Sequence, residues 1–126
     1  MIAPGPDELN RLLDAYRHAS HYGHLSDATH RATERNPACG DAVTFDLAVG
    51  PDGAIRHAAY SGGICAVGIA AASALCSMLE LRPTAWLREI TDEDFVAALP
   101  FPVPRQRQSC AYLPLHAARK ALDQPL

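Results

Sequence analysis

The sequence has almost no lysine and no cluster of positive charge. It carries 11 lysine and arginine residues against 14 acidic ones, which gives a formal net charge of −3 at pH 7, and Lys120 is the only lysine. Nucleic-acid binding requires a basic surface that neutralises phosphates, commonly with aromatic side chains for stacking. Since no stretch of arginines with interleaved aromatics is present, the sequence predicts no nucleic-acid partner.

A long hydrophobic segment and a leader are also missing. The longest nearly apolar run, residues 64–75, is much shorter than the roughly 20 residues that a helix needs to cross a bilayer. Residues 1–7 are proline-rich and acidic, unlike the basic start and apolar core of a signal peptide. We therefore expect no membrane partner and a cytoplasmic location.

The composition is that of one small globular domain. The chain has 126 residues, of which 48% are hydrophobic, and this is ordinary for a domain with its own core. No internal repeat and no long low-complexity linker divides the sequence. We expect a single domain over residues 1–126.

Two alternating segments predict a β-hairpin. From Ala42 to Val49 apolar and polar residues alternate, which is the pattern of a half-buried strand. Residues 50–53 have turn composition, and alternation resumes from Ala54 to Tyr60. The two strands are therefore expected to pair antiparallel. Thr29 to Arg35 is a weaker candidate for a polar edge strand.

Other segments have the periodicity or the caps of helices: Asp7–Ser20, Cys65–Leu81, Thr84–Ile90, a segment capped by Thr91 that runs to Leu99, and Cys110–Asp123. The alanine-rich segment that begins at Cys65 has few polar residues, which predicts a nearly buried helix lying across the sheet. Pro100, Pro102 and Pro104 predict an extended, exposed segment before the last helix.

The stretch Asn36–Asp41, Asn-Pro-Ala-Cys-Gly-Asp, is the feature around which the chain is organised. Pro37 fixes its own φ and Gly40 permits a positive φ, so the sequence predicts a stiff, sharp turn ahead of the first alternating strand. In an extended peptide, residues i and i+2 share a face. Cys39 and Asp41 are then expected to point into one small site.

Two further cysteines lie where helices are predicted to begin. Cys65 follows a glycine pair, and Cys110 follows a loop rich in proline and arginine. In a first helical turn, unpaired N–H groups and the helix dipole stabilise a thiolate, the form that binds metal or attacks sulfur. With Cys39 and Asp41 they offer three sulfurs and one oxygen, a tetrahedral shell for zinc or most of the anchoring of an iron–sulfur cluster. The alternatives are ordinary buried cysteines and, for Asp41, an exposed turn carboxylate.

The remaining cysteine and a histidine series have simpler explanations. Cys76 lies about 16 Å along a helix from Cys65, so it cannot share an ion with Cys65 and is expected in the core. His18, His21 and His24 follow at three-residue steps, which suggests a metal, but a polar helix end also accounts for them. Four cysteines permit two disulfides, yet without a leader spaced cysteines favour metal or redox chemistry.

Arg105 and Arg107 flank the approach to Cys110 and have two interpretations. In the first they are solvated loop residues. In the second they lower the pKa of the Cys110 thiol, or hold an acidic partner or a persulfide.

Four blocks resemble the U-type iron–sulfur cluster assembly proteins, the family of IscU, SufU and the amino-terminal domain of NifU. Asn36–Asp41 matches the family's Asn-Pro-x-Cys-Gly-Asp block, Gly63–Ser73 resembles its second-cysteine helix, and Ser109–Ala117 resembles its third-cysteine helix. Tyr16–Leu25 is similar to an upstream family element, with residues 18–21 where Asn and Pro are usual. The resemblance covers nearly the whole chain.

The resemblance implies a fold class, a set of ligands and partners. The fold class is α+β, with a small antiparallel sheet of about three strands packed against helices. The implied ligands are Cys39, Asp41, Cys65 and Cys110. In this family they accept sulfur from a cysteine desulfurase, bind iron or zinc and, in scaffold members, assemble a transient 2Fe–2S cluster that passes to apo acceptor proteins. We expect Cys110, on a mobile proline-rich loop, to be the nucleophile and Asp41 to be the labile ligand.

Two departures favour the SufU branch, in which the four residues bind zinc and one cysteine relays persulfide sulfur. Ser109 stands where IscU-type members have histidine, and Val103–Arg107 replaces their Leu-Pro-Pro-Val-Lys segment. The insertion that SufU proteins usually carry between the second and third cysteines is missing.

The sequence thus predicts a scaffold or a zinc-dependent sulfur acceptor rather than a classical enzyme. The alternative is a structural zinc-binding module that engages a partner without sulfur transfer. Disulfide exchange is disfavoured because no Cys-x-x-Cys occurs.

Overall fold

The computed structural model describes residues 6–38 and 40–126, so residues 1–5 and Cys39 lie outside the described part of the chain. The elements follow in this order: α1 (Pro6–Arg17), β1 (His30–Asn36), β2 (Asp41–Val49), β3 (Ile55–Ser61), α2 (Ala66–Leu79), α3 (Thr84–Glu89), α4 (Asp92–Ala98) and α5 (Gln108–Leu122). This is the predicted α+β class.

The three strands form one antiparallel sheet in the order β1-β2-β3. β2 and β3 are the predicted hairpin, with Phe45 opposite Tyr60. The weaker prediction of an edge strand is also confirmed, since β1 pairs with β2 from Asn36 opposite Asp41 onward. The side chains at positions 43, 45 and 47 are fully buried, as the alternation in this strand predicted.

Helices α2 and α5 cover the inner face of the sheet. The predicted near-complete burial of α2 is confirmed along most of its length, with Ala71, Leu75 and Leu79 fully buried. α5 contributes Leu115 and Ala118, which are also fully buried. Burying one leucine side chain stabilises a fold by about 1.5–3 kcal/mol. These contacts therefore determine where the first turns of α2 and α5 lie.

Both edges of the sheet are paired with other parts of the chain. Residues 124 and 126 exchange backbone hydrogen bonds with β1 and the residue before it, and Lys120 Nζ donates to the Thr33 carbonyl at 3.0 Å. Residues 21–23 and 81–82 bond to β3 in the same way. An open strand edge invites pairing with another chain, and these contacts block it on both sides.

The outer face of the sheet contains a buried carboxylate, Asp46. Arg31 donates to it through Nε at 2.8 Å and Nη2 at 2.9 Å, and the Leu25 N–H donates at 3.0 Å. Burial by itself raises the pKa of Asp46, but the Arg31 and Leu25 hydrogen bonds and the Arg31 charge bring that pKa below its usual value. Asp46 thus fastens the chain after α1 to the sheet.

Some helix boundaries and one exposure differ from the sequence predictions. α1 ends at Arg17 and α2 at Leu79, each a few residues earlier than predicted. Phe101, in the proline-rich segment predicted to be exposed, is only 4% exposed because its ring packs into the core. The predicted Thr91 cap is confirmed, since its hydroxyl accepts the Asp94 N–H at 3.0 Å. None of the helices in the described residues has the length and hydrophobicity to cross a membrane.

Candidate metal centre

The turn before β2 has the predicted shape. The Asn36 carbonyl accepts the Gly40 N–H at 2.9 Å, and Asn36 Oδ1 accepts the Ala38 N–H at 3.1 Å. Gly40 has a φ of 76°, a left-handed conformation that glycine adopts without a steric penalty. The turn leads directly into Asp41. Cys39 lies outside the described residues, so its predicted place beside Asp41 stays a prediction.

Asp41 caps helix α2 from a distant part of the sequence. Cys65 immediately precedes the helix, and its own side chain makes no capping hydrogen bond. Instead, Asp41 Oδ2 accepts the Cys65 N–H at 3.2 Å. The unpaired N–H groups and the dipole at a helix N-terminus stabilise a carboxylate in this position. The contact links the carboxylate to the residue that bears the second predicted thiol.

Cys110 lies in the first turn of α5, which begins at Gln108. It is 2% exposed, and a Cβ added at Gly68 of α2 would lie 3.5 Å from its carbonyl oxygen, so the two helices run close together here. The expectation of a thiol on a mobile loop is wrong, because the helix begins two residues earlier and packs on the sheet. The predicted place in a first helical turn, which favours a thiolate, is confirmed.

Three of the four predicted ligands converge. A carboxylate oxygen of Asp41 and the sulfurs of Cys65 and Cys110 all lie within 4.8 Å of one another. Tetrahedral sulfurs at about 2.3 Å from a zinc ion are about 3.8 Å apart, so small side-chain movements bring the three atoms onto one ion. Asp41 and Cys65 are half-buried and Cys110 is buried. The donor set fits zinc or iron, and no second group of this kind occurs in the described part of the chain.

The histidines and Cys76 lie elsewhere, as the simpler interpretations predicted. Each of the three histidines in the series has its own hydrogen-bond partner. The partner is a backbone carbonyl for His18, a glutamate for His21 and the buried Asp46 for His24. Cys76 is fully buried, and burial raises the pKa of its thiol. Neither the histidines nor Cys76 joins the candidate centre.

Arg105 and Arg107 form a single 3-10 turn just ahead of α5, and both are exposed. Neither makes an ion pair with a residue that the structure describes. This agrees with the solvated interpretation for the isolated chain. It also leaves both guanidinium groups available to an acidic partner.

Two contacts around the centre have no signal in the sequence. Asn36 Nδ2 donates to Ser109 Oγ at 3.3 Å, which ties the turn before β2 to the first turn of α5. The Tyr22 hydroxyl hydrogen-bonds with the backbone of Gly62, in the loop that precedes Cys65. These partners are 73 and 40 residues apart, and no local pattern predicts such pairs.

A cavity of about 330 Å³ adjoins the Asn36–Ser109 contact. It is lined by Glu34, Arg35, Asn36, Pro37, Ser109, Tyr112, Leu113 and His116. Ser109 directly precedes Cys110 in the sequence, but Asp41, Cys65 and Cys110 are not among the residues that line the cavity.

The fold and the donor set together define a small α+β protein with a candidate Cys/Asp metal centre. The family model described as the NifU-like N terminal domain matches residues 7–124. The chain therefore belongs to the NifU-like N-terminal domain family, and the resemblance seen in the sequence is confirmed.

Two curated relatives extend this result. Over 88 residues the chain is 38% identical to the bifunctional protein NifU/MnmA of Rubrobacter xylanophilus, covering 70% of this chain and 18% of that protein. Over 113 residues it is 29% identical to the iron–sulfur cluster assembly scaffold protein IscU of Aquifex aeolicus, covering 89% of this chain and 71% of that protein. The chain thus spans less than a fifth of the first relative and most of the second.

Two solved structures share the fold. A NifU-like N-terminal protein from Brucella abortus superposes with a TM-score of 0.75 at 21% identity, over 94% of each chain. A protein described as an iron–sulfur cluster assembly scaffold for the SUF system of Fervidobacterium islandicum AW-1 superposes with a TM-score of 0.72 at 18% identity, over 88% of this chain and 93% of that one. At these identities the likeness shows the three-stranded sheet and its helices.

Proposed function

We propose that this chain is an iron–sulfur cluster assembly scaffold that uses Cys39, Asp41, Cys65 and Cys110 as ligands. The observation that carries the proposal is the convergence of Asp41, Cys65 and Cys110 from three elements far apart in the sequence. Family membership and the named function of the Aquifex relative support it. Thiolates are the groups that anchor iron–sulfur clusters in proteins, and iron and sulfide are here the cargo.

The residues of the centre have distinct roles in this proposal. The N-terminal ends of α2 and α5 meet at the site, where Cys65 immediately precedes α2 and Cys110 lies in the first turn of α5. Asp41 offers an oxygen, a harder donor than sulfur and a weaker partner for a thiophilic metal. It also already accepts the Cys65 N–H. A weak fourth ligand suits a site that assembles a cluster and then releases it to an acceptor.

A second candidate role, zinc-dependent sulfur acceptor from a cysteine desulfurase, is favoured by Ser109. A hydroxyl bonded to Asn36 occupies this position, where IscU-type members carry an imidazole. Three thiolates and Asp41 then complete a zinc shell by themselves. In the transfer step the Cys110 thiolate attacks the outer sulfur of the desulfurase persulfide. A new S–S bond forms at Cys110 and the donor's S–S bond breaks, so the donor leaves as a thiolate and no other oxidant or reductant is needed.

A purely structural zinc module is the remaining alternative. A module of that kind loses its fold when the metal is removed. Here the core contains the fully buried Phe45, Leu75 and Leu115, none of which is a proposed ligand, although Cys110 is also part of that core. We therefore expect chelation to leave the fold intact.

One experiment separates these roles. The protein is purified without oxygen, supplied with a desulfurase, cysteine and ferrous iron, and then analysed for metal, sulfide and its visible spectrum. Charge-transfer bands with iron and sulfide in equal amounts are expected for the scaffold. Stoichiometric zinc, no cluster and a faster desulfurase identify the sulfur acceptor. Zinc with no effect on the desulfurase contradicts both roles and leaves the structural module.

A further inference from the structure

We propose that Tyr22 is a positioning residue for the candidate metal centre, because its hydroxyl holds the loop that carries Cys65. The inference rests on the proposed function, since it concerns the geometry of the same site. Tyr22 itself touches none of the proposed ligands in the hydrogen bonds that the structure describes, so it acts through the backbone of that loop.

The Tyr22 hydroxyl binds both backbone polar groups of one residue. It donates to the Gly62 carbonyl at 3.1 Å and accepts the Gly62 N–H at 3.2 Å. Gly62 has a φ of 123°, and a Cβ at this position would collide with the Ala42 carbonyl oxygen. The loop therefore packs its backbone directly on the start of β2, and the Tyr22 hydroxyl binds the same loop residue.

The clamped residue is connected to both ends of the site. The next residue, Gly63, accepts the Ala42 N–H through its carbonyl at 3.0 Å, and Ala42 directly follows Asp41. Two residues further on, the Cys65 N–H donates to Asp41 Oδ2. A shift of Gly62 therefore changes the distance between the Cys65 sulfur and the Asp41 carboxylate.

Tyr22 is itself well anchored. Its ring meets the ring of Tyr60 edge to face at 5.4 Å between centroids, and Tyr60 stacks on Phe45 in the core at 6.3 Å. The backbone on either side of Tyr22 bonds to Tyr60 as well, at 3.1 and 2.7 Å. Yet Tyr22 remains 61% exposed, so filling the core does not explain this side chain. Its fixed ring presents the hydroxyl to Gly62.

The test compares Tyr22→Phe with Tyr60→Phe. Both changes remove one hydroxyl from the same pair of rings, but the Tyr60 hydroxyl has no hydrogen-bond partner among the described residues. Zinc and cobalt affinities are measured by chelator competition, and the cobalt spectrum reports the ligand geometry. In the metal-free protein, amide hydrogen exchange is measured at residues 62–65. Alkylation rates are measured at Cys65 and at Cys76. Because Cys76 is buried, its alkylation reports the unfolding of the whole protein.

For Tyr22→Phe we expect roughly three- to tenfold weaker metal binding, because the two hydrogen bonds of the hydroxyl to Gly62 are lost and each has only a small net effect. We also expect an altered cobalt spectrum and faster exchange and alkylation at residues 62–65, with Cys76 unchanged. Tyr60→Phe should behave as wild type.

Unchanged metal affinity in Tyr22→Phe overturns the proposal. So does an equal rise in alkylation at Cys65 and Cys76, since that would indicate a merely structural role. Wild-type protein that binds neither metal refutes the proposed function. In that case the amide exchange of Tyr22→Phe still tests whether Tyr22 holds the loop. Unchanged exchange at residues 62–65 refutes this role of Tyr22, whereas faster exchange than in wild type supports it.

Discussion

Two aspartates on the same strand have opposite surroundings. Asp41 begins β2 and Asp46 lies five residues further along, so their side chains face opposite sides of the sheet. Asp46 is fully buried, and Arg31 and Leu25 occupy its oxygens. Asp41 is half-buried, accepts one backbone N–H and makes no ion pair with a described residue. A carboxylate saturated by a cation is structural, whereas one with free acceptor capacity can bind a metal.

The cysteines of the α2 region show the same contrast. Cys65 precedes the first turn, half-buried and close to Asp41 and Cys110. Cys76 lies in the core of the same helix, where burial raises the pKa of its thiol. Cys65 is thus a candidate ligand and Cys76 is a packing residue because of where each lies along α2. Only the N-terminus of a helix offers unpaired N–H groups and the positive end of the dipole.

The largest effect is expected from the thiols. Cys110→Ser should weaken zinc binding on the order of 100-fold or more, because a hydroxyl is a much poorer zinc ligand than a thiolate. Chelator competition measures this loss. Cys76→Ala is the matched control, since it removes a buried sulfur outside the centre and should leave the zinc affinity unchanged. Equal losses in both variants would refute the distinction between the two cysteines.

The next effect concerns stability. Asp46→Asn should lower the free energy of unfolding by about 2 kcal/mol, because it leaves the Arg31 guanidinium without its carboxylate; the partial exposure of Arg31 keeps the loss below that of a fully buried pair. Asp41→Asn should cost at most about 1 kcal/mol, the effect of a weakened helix cap. Urea unfolding of the metal-free proteins measures both. A greater loss for Asp41→Asn would reverse the comparison.

The smallest effect is the response to acid. The folded-state pKa of Asp46 is lowered, so its contribution to stability is fully present above the unfolded value of about 3.9 and disappears as pH falls through the folded value. Wild type should therefore lose stability below about pH 4 more steeply than Asp46→Asn. Urea midpoints measured from about pH 6 downward test this. Parallel curves for the two proteins would show that Asp46 makes no such contribution.

Local patterns were sufficient for the elements and for part of the site. The alternation in β2 and β3, the left-handed Gly40 and the Thr91 cap were predicted because each depends on neighbouring residues. The place of Cys110 in a first helical turn followed from the same kind of signal, whereas Cys65, predicted in a first turn, is the residue just before α2. The mobile loop assigned to Cys110 was wrong, since proline content alone does not indicate where a helix begins.

By itself, then, the sequence determined which segments are strands, turns and helices, and it predicted which residues could bind a metal. Only the tertiary structure decided that Asp41 caps α2, that Asp46 is paired with Arg31, and that Tyr22 binds Gly62. The reason is physical. These partners lie 15 to 40 residues apart. The register of β1 on β2 places Arg31 opposite Asp46, and the backbone bonds of residues 21 and 23 to Tyr60 place Tyr22 beside the end of β3. A local pattern of apolar and polar residues identifies a strand or a helix, but it does not identify which distant residue a side chain will contact.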